Sequence, residues 1–240
     1  MKGRMRTKAK RSAQALPVGI APGELADCYP KLYHMAEAGS WPSIMEHGLF
    51  STAALVNLFE VPEPTRSQIL SAHRPSGIEI SHLRLGRAVV RDQIPMSDAG
   101  LKRCLQDGLK PRDWYELLNA RVFFWATEER LERLLGADAY RERPHTVLTL
   151  DTRSLVTDHS DRIVLSPINS GCTRPFPHPR GRSTFLPLRE YPFQYWRKRR
   201  RSSEAVVEVA VDEAVRNVIQ YVVDVRERRA GEEGRLIWSR

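Results

Sequence analysis

The chain has 240 residues, 41% of them hydrophobic, and a formal net charge of +9 at pH 7. This length and apolar content suffice for one domain with a substantial core, and no apolar run is long enough to cross a bilayer. The three cysteines lie far apart in the sequence without the spacing of a zinc site, so we expect a cytoplasmic protein with no disulfide, no metal and no membrane contact.

The excess positive charge is concentrated in two clusters. One lies within residues 1–12, and the other consists of Arg197, Lys198, Arg199, Arg200 and Arg201. We expect a disordered basic tail over residues 1–23, one domain over 24–229 and a C-terminal tail over 230–240. Because aromatic residues directly precede the second cluster, its five cations predict a surface for the bases and phosphates of a nucleic acid. An exposed loop behind a core anchor is the alternative interpretation.

The first elements of the domain are a strand and a helix. Residues 32–35 read as a short buried strand, and a compact helix follows, with Ser40 as its expected N-cap and Gly48 as its left-handed stop. The register of this helix places Ile44 and Met45 on its inner face.

The elements expected between residues 51 and 136 follow local cap, proline and glycine signals. They are helices over 51–58, 65–72, 97–106, 111–119 and 127–136, with Thr65, Ser97 and Thr127 as N-caps, and strands within 75–96 and over 121–126. The strand over 121–126 is indicated by its aromatic and β-branched residues. The clearest helix signal is Thr127, because two glutamates follow it in the first turn and Gly136 marks the end.

Strands dominate the last part of the chain. The candidates are residues 146–150, 162–166, 205–211 and 218–225, with a long irregular segment over 167–203. Helices first and strands afterwards predict an α+β domain on a mostly antiparallel or mixed sheet, not a doubly wound parallel sheet. Neither a Walker sequence nor GxGxxG, HExxH or GxSxG occurs, so the common nucleotide-loop, zinc-protease and serine-hydrolase signatures are absent from the sequence.

Several pieces of the sequence resemble the ADP-ribosyltransferase fold of PARPs, RNA 2′-phosphotransferases and DarT-type DNA ADP-ribosyltransferase toxins. They are Leu32-Tyr33-His34, the helix and Gly48-Leu49-Phe50-Ser51 after it, a segment ending at Arg91, the aromatic strand 122–125, and Glu208-Val209-Ala210-Val211. The last piece is similar to the DarT strand that opens with glutamate. Over positions 31–226 the chain also resembles a family of uncharacterised bacterial proteins. The resemblance implies a split, mixed or antiparallel sheet with peripheral helices.

The resemblance also implies that NAD is the substrate. His34, preceded by Tyr33, matches the histidine that binds the adenosine-side ribose, and Ala36 stands where relatives often have a hydroxylated residue. Glu208 matches the glutamate that hydrogen-bonds the nicotinamide ribose and promotes loss of nicotinamide. A carboxylate suits this role because it stabilises the oxocarbenium-like charge of the transition state.

Further matched residues complete the implied site. Arg91 would lie near the phosphates or the acceptor, with Arg87 as its competitor, and Phe123 or Trp125 would stack on nicotinamide. Asn169 begins a segment that either binds a ligand or forms a turn.

Alternatives to these roles stay open at this stage. Glu208 is also interpretable as the outward-facing residue of an alternating strand, and His34 as a core-edge histidine. Glu204, four residues earlier and on the same face of an extended strand, is a second candidate for the working carboxylate. Arg91 is also interpretable as a partner of Asp92 or Glu79.

We therefore expect an NAD-dependent ADP-ribosyltransferase that modifies a nucleic acid, as a toxin or phage-defence factor would. The basic charge and the aromatic cluster favour DNA or RNA over a protein as the acceptor. A non-catalytic nucleic-acid-binding protein on the same scaffold and a 2′-phosphotransferase-like enzyme are the alternatives.

Overall fold

The computed structural model describes residues 19–240, in which most elements are short. The helices are α1 Pro22–Cys28, α2 Trp41–His47, α3 Thr52–Leu58, α4 Thr65–Ser71, α5 Asp98–Cys104, α6 Pro111–Asn119, α7 Glu128–Leu135, α8 Thr152–His159 and α9 Phe193–Arg199. The strands are β1 Lys31–Glu37, β2 Leu49–Phe50, β3 Ile78–His82, β4 Gly86–Val90, β5 Arg121–Trp125, β6 His145–Asp151, β7 Ile163–Ser166, β8 Leu186–Pro187, β9 Glu208–Asp212, β10 Ala214–Val215, β11 Val222–Arg228 and β12 Arg235–Ser239. Single 3₁₀ turns lie at Arg182–Thr184, Ser202–Glu204 and Val218–Gln220.

Eight of the strands form one large sheet in the order β12-β11-β6-β1-β5-β9-β7-β8. Every neighbouring pair in it is antiparallel. The remaining strands form two small pairs, β2 with β10 and the β3–β4 hairpin. The protein is therefore a mixed α and β fold built on an antiparallel sheet, which confirms the predicted fold class at this level.

The large sheet is divided between β1 and β5. β1 pairs with β6 along its whole length, from Lys31 to Glu37, and β5 pairs with β9 along its whole length. Between β1 and β5, in contrast, Tyr33 opposite Trp125 is the one register pair in the described chain. The sheet thus consists of two well-paired halves that diverge on either side of this contact.

Helices cover both faces of the sheet. On one face, the main core packs all of the strands from β11 to β7 against residues of α1 and α8. On the other face there are two separate cores, because α5 and α6 cover the half with β9 while α7 covers the half with β1. The gap between these two cores lies above the divergence of β1 and β5.

Several predicted helix caps are confirmed and others are wrong. Ser97 and Thr127 accept hydrogen bonds from the first-turn amides of α5 and α7 as expected. Ser40 does occupy the N-cap position of α2, but its hydroxyl donates to the Glu37 carbonyl at 2.7 Å and does not accept from a first-turn amide. Thr65 is not an N-cap, because it lies inside α4 and a proline occupies the cap position. The predicted register of α2 is wrong for Met45, which is 45% exposed and lies on the outer side of the helix.

The predicted segment boundaries need correction at both ends of the domain. Residues 230–240 are not a tail, because β12 lies in them and pairs with β11. Residues 19–23 belong to the fold, since Ile20 is buried and α1 begins at Pro22; the predicted tail over residues 1–18 lies outside the described residues. The irregular segment 167–203 contains α9, and α8 was not predicted.

No helix in the described part of the chain combines the length and the apolar character that a membrane span requires.

Candidate active site

A cavity of about 260 Å³ opens where the two halves of the sheet diverge. Most of the residues singled out in the sequence line it, namely His34, Arg91, Phe123, Trp125, Asn169 and Glu208. Leu118 of α6 and Leu134 of α7 form opposite walls. A second cavity of about 450 Å³ shares His34 and Arg91 with the first and extends beneath the β3–β4 hairpin. The two together offer an elongated cleft in the size range of ligand sites.

Glu208 is the first residue of β9, whose residues 208–211 are all buried because both faces of the sheet are covered. It is 4% exposed, so the outward-facing interpretation is wrong. Oε1 accepts a hydrogen bond from the Ser170 backbone N–H at 3.0 Å, whereas Oε2 is buried without a partner among residues 19–240. Burial raises the pKa of Glu208 to about 7, although Ser170, Arg180 and Arg130 each lower it.

His34 lies on β1 at the point where β5 departs. Its Nδ1 is 2.8 Å from the carbonyl oxygen of Phe123. Because a carbonyl only accepts, Nδ1 carries the proton and Nε2 keeps its lone pair. Burial lowers the pKa of His34 to about 4, with a smaller contribution from the charge of Arg91, and the Phe123 hydrogen bond opposes this. The ring is therefore neutral at pH 7 and its Nε2 is an acceptor suited to a hydroxyl group.

Arg91 follows β4 and reaches across to β1. Its Nη1 donates to the Met35 carbonyl at 3.3 Å, and its guanidinium lies over the ring of Tyr140, 5.2 Å from the centroid. The hydroxyl of Tyr140 in turn donates to Asp92 at 2.6 Å. Nη2 of Arg91 is buried and has no hydrogen-bond partner in the described segment. This unused donor on a cavity-lining cation suits an anionic oxygen.

The structure distinguishes Arg91 from its competitors. Arg87 is exposed on β4 and pairs with Glu79 at 3.6 Å, so it lies at the rim of the second cavity only. Asp92 pairs with Arg143 at 3.4 Å. Neither acidic residue that was considered as a partner for Arg91 forms an ion pair with it within residues 19–240.

Strand alternation places Arg121, Phe123 and Trp125 on one face of β5, and residues of both faces of this strand contribute to the cleft. Phe123 lines both cavities and packs against Phe185 at 5.8 Å between ring centroids, and Trp125 lines the smaller one. Arg121, two residues before Phe123, lines both cavities as well; its Nε is 2.8 Å from Asp212 and its guanidinium lies over Phe185. Arg121 was not predicted as a site residue, although its alternation with the two aromatic residues was the available signal.

Tyr33 and Asn169 have different outcomes. Tyr33 lies on the opposite face of β1 from His34 and packs in the α7 core near Met35, outside both cavities. Asn169 lines the smaller cavity, and its Oδ1 accepts from the Gly171 N–H at 3.1 Å, which is the predicted turn. The turn brings the Ser170 N–H to Glu208.

Glu204 does not share a strand face with Glu208. It lies in the 3₁₀ turn Ser202–Glu204 before β9 begins, and it forms an ion pair with Arg130 of α7. The residues that line either cavity do not include it. The sequence prediction of a shared face is therefore wrong, because the chain becomes extended only at Glu208.

Three residues of the second basic cluster lie on α9, and Arg200 and Arg201 follow the end of this helix. Arg197, Lys198 and Arg199 form the last turn of α9, where cations favour the helix dipole. All of the five cations except Arg200 are exposed. Arg200 lies over Trp196 and donates to the carbonyl of Pro167, which precedes the cavity turn at Asn169. The cluster is thus outside the cleft but attached to one of its walls.

Among residues 19–240 no group of three or more His, Cys, Asp or Glu side chains is arranged to hold a metal ion.

Comparison with known proteins identifies a family to which the chain is similar. The model of a family of unknown function, DUF7002, matches residues 30–222. The matched segment includes β1, the cleft and β9, and it ends before β12. No curated protein and no solved structure matches the chain.

Proposed function

The chain belongs to DUF7002, a family without an assigned reaction, and we propose that it is an NAD-dependent ADP-ribosyltransferase. The observation that carries this proposal is the convergence of Glu208, His34 and Arg91 on one cleft, from three distant parts of the sequence. Each offers a different chemistry: a carboxylate oxygen without a partner, a neutral ring acceptor and an unused guanidinium donor. The divergence of β1 and β5 supports an ADP-ribosyltransferase-like fold, because it supplies the split sheet that such a fold requires.

Each part of NAD can be matched with residues that line the cleft. Phe123 and Trp125 offer an aromatic wall to the nicotinamide ring next to Glu208. Arg91 offers Nη2 to a pyrophosphate oxygen, and His34 offers Nε2 to a hydroxyl of the adenosine-side ribose. The larger cavity beneath the β3–β4 hairpin leaves room for the adenine.

Glu208 would promote cleavage of the bond between nicotinamide and ribose. The C1′–N bond breaks, its electron pair leaves with neutral nicotinamide, and positive charge develops on the ribose. The ionised Oε2 accepts a hydrogen bond from the 2′-hydroxyl and stabilises this charge, which exists mainly in the transition state. A nucleophile of the acceptor then bonds to C1′ and loses its proton. Glu208 must be ionised to accept this hydrogen bond and to stabilise the charge. The rate of nicotinamide release should therefore rise with pH through the pKa of Glu208, about 7.

The acceptor is proposed to be a nucleic acid. The exposed cations Arg197, Lys198, Arg199 and Arg201 at the end of α9 support this, because they form a charged surface suited to phosphates. Arg200 connects this surface to the segment that carries Asn169 and Ser170, so a bound strand would lie beside the cleft.

The test of the proposal is nicotinamide release from NAD by the purified protein, measured by chromatography. Glu208→Gln keeps the shape of the side chain and removes the negative charge, so we expect the rate to fall to the uncatalysed level. Glu204→Gln is the matched control, since this carboxylate is nearby in sequence but pairs with Arg130 outside the cleft. Equal rates for wild type and Glu208→Gln, both folded, would overturn the proposal.

A second candidate function is nucleic-acid binding without catalysis. The same exposed cations on α9 favour it, since their contacts with phosphates need no reaction in the cleft. This candidate predicts steeply salt-dependent binding of oligonucleotides together with an unchanged melting temperature in the presence of NAD. The 2′-phosphotransferase alternative predicts transfer of the phosphate from a 2′-phosphorylated RNA to NAD. In the same preparation, the RNA would then lose its 2′-phosphate only when NAD is present.

A further inference from the structure

The backbone of Ser170 is held from the side opposite Glu208. Its carbonyl oxygen accepts two hydrogen bonds, from Nη1 of Arg180 at 2.8 Å and from the indole N–H of Trp114 at 3.3 Å. Its N–H donates to Oε1 of Glu208 at 3.0 Å. A single residue therefore connects a buried cation to the carboxylate in the cleft.

Arg180 is itself fixed on all sides. It is 1% exposed, and its guanidinium lies over the ring of Trp114, 5.7 Å from the centroid. Its backbone N–H donates to the Cys104 carbonyl at 2.9 Å, and its own carbonyl accepts from Gln106 at 2.8 Å. The end of α5 and the segment after it thus anchor Arg180, so the guanidinium has a defined position relative to the cavity.

The side chain of Arg180 organises the loop between β7 and β8. Besides Ser170, it donates to the carbonyls of Cys172 at 2.8 Å and His178 at 3.0 Å. All three of these acceptors are neutral, and no carboxylate in the described chain lies within ion-pair distance of the guanidinium. A buried charge without an ion pair is costly. Burial lowers the pKa of Arg180, and Cys104, the buried Glu208 and Cys172 each oppose this through their charge; Glu208 is the carboxylate among the three.

We propose that Arg180 is a positioning residue for Glu208. It fixes the Ser170 N–H that orients the carboxylate, and it supplies the buried positive charge that favours the ionised form of Glu208. The role in catalysis rests on the proposed function, whereas the action on Glu208 does not.

The other charged groups near Glu208 do not substitute for Arg180. Arg130 also acts on the carboxylate, but its charge is compensated by its ion pair with Glu204. His34, Arg74, Arg91, Asp92 and Arg121 line the same cavity; His34 is neutral at pH 7, and the charges that lower the pKa of Glu208 are those of Arg180 and Arg130. Replacing Arg180 by a neutral residue therefore removes both the positive charge that acts on Glu208 and the side chain that holds the Ser170 carbonyl.

The test is the titration of Glu208 followed by NMR in protein labelled with ¹³C at the glutamate carboxyl carbons. The resonance is assigned by its absence in Glu208→Gln. In Arg180→Met, which keeps much of the aliphatic stem, we expect the titration midpoint to rise by on the order of one pH unit. In Arg180→Lys, which keeps the charge but not the three-way donor geometry, we expect a smaller rise and an upfield shift of the Ser170 amide proton.

A purely structural role for Arg180 predicts a different result. It would lower the amount of folded protein or the rate at every pH and leave the Glu208 midpoint unchanged. An unchanged midpoint in folded Arg180→Met overturns the proposal. If Arg180→Met does not fold, Arg180→Lys is used in its place. An unchanged Ser170 amide resonance in Arg180→Lys also overturns the proposal.

The NMR measurement separates this inference from the proposed function. A protein that releases no nicotinamide, but whose Glu208 midpoint rises in Arg180→Met, contradicts the proposed function and supports the positioning role. In an active protein, the pH profile of nicotinamide release should move to higher pH in Arg180→Met together with the midpoint.

Discussion

The cost of burying Glu208 gives a prediction about stability. In the unfolded chain this carboxyl ionises near pH 4.5, and in the folded protein burial raises its pKa to about 7. Between these values the folded state holds a proton that the unfolded state has lost, so the free energy of unfolding falls as pH rises through this window. The difference corresponds to about 3 kcal/mol, fully developed above the folded pKa.

Glu208→Gln removes this pH-dependent loss of stability. Oε1 of the glutamine can still accept from Ser170, but no charge has to be desolvated. Relative to wild type, the variant should gain about 3 kcal/mol between about pH 4 and about pH 8.5. For a chain of this length, the gain corresponds to a difference in melting temperature of roughly 6–12 °C.

The assay is thermal and urea unfolding of both proteins across this pH range. Because every other titrating group is common to both, its contribution cancels in the difference between the two curves. Glu190→Gln is the control, because it replaces an exposed carboxylate that pairs with Arg189 and so removes no buried charge. A difference for Glu208→Gln that stays constant between about pH 4 and about pH 8.5 would refute the argument that desolvation dominates at this residue.

Three further predictions concern the cleft wall, the basic surface and one turn. Arg91→Gln should weaken NAD binding about tenfold to a hundredfold in calorimetry, as expected for a lost charge-assisted hydrogen bond, whereas Arg87→Gln should bind as wild type does; equal losses would contradict the assignment. The triple variant Arg197→Gln, Lys198→Gln, Arg201→Gln should reduce the slope of log K against log salt for a single-stranded oligonucleotide by about 2 in anisotropy titrations, and an unchanged slope would exclude this surface. Gly48→Ala should lower the free energy of unfolding by about 1–3 kcal/mol, because φ is +95° and the new Cβ would lie 2.5 Å from Arg216 Cα. In the control Gly39→Ala, φ is also positive but the new Cβ meets open space, so the free energy of unfolding should fall by less. Equal losses of stability in the two variants would show that the contact with Arg216 is unimportant.

Local signals in the sequence predicted local structure well. The N-caps Ser97 and Thr127 were found because a hydroxyl in front of a helix satisfies a free amide, which depends on neighbouring residues alone. The helix α1 was missed because its first residues were assigned to the tail over 1–23, although a proline such as Pro22 is also favourable at a helix start. The helix α8 had a similar local signal in Asp151, which accepts from the Ser154 N–H at 2.8 Å.

The site could be predicted only in part. His34, Arg91, Phe123, Trp125 and Glu208 were singled out because they match positions of the fold that the sequence resembles, and the structure brings them to one cleft. The burial of Arg180 could not be predicted, because an arginine in a segment rich in proline and glycine is usually exposed and its partners are distant carbonyls. Glu204 was wrongly predicted to share a strand face with Glu208, because the residue at which a strand begins depends on its neighbours in the sheet and not on the local sequence alone.

The divergence of β1 from β5 is stabilised by the side chains that are proposed to bind NAD. At the point where the pairing of β1 with β5 stops, Nδ1 of His34 donates a hydrogen bond to the carbonyl oxygen of Phe123. Nη1 of Arg91 donates another to the carbonyl oxygen of Met35. These two hydrogen bonds satisfy carbonyl groups at positions where β1 and β5 form no register pair in the described chain. An alanine at either position would therefore remove a ligand contact and also leave a strand-edge oxygen unpaired, which favours closure of the gap. Loss of binding in such a variant would report on the shape of the entrance as much as on the missing side chain.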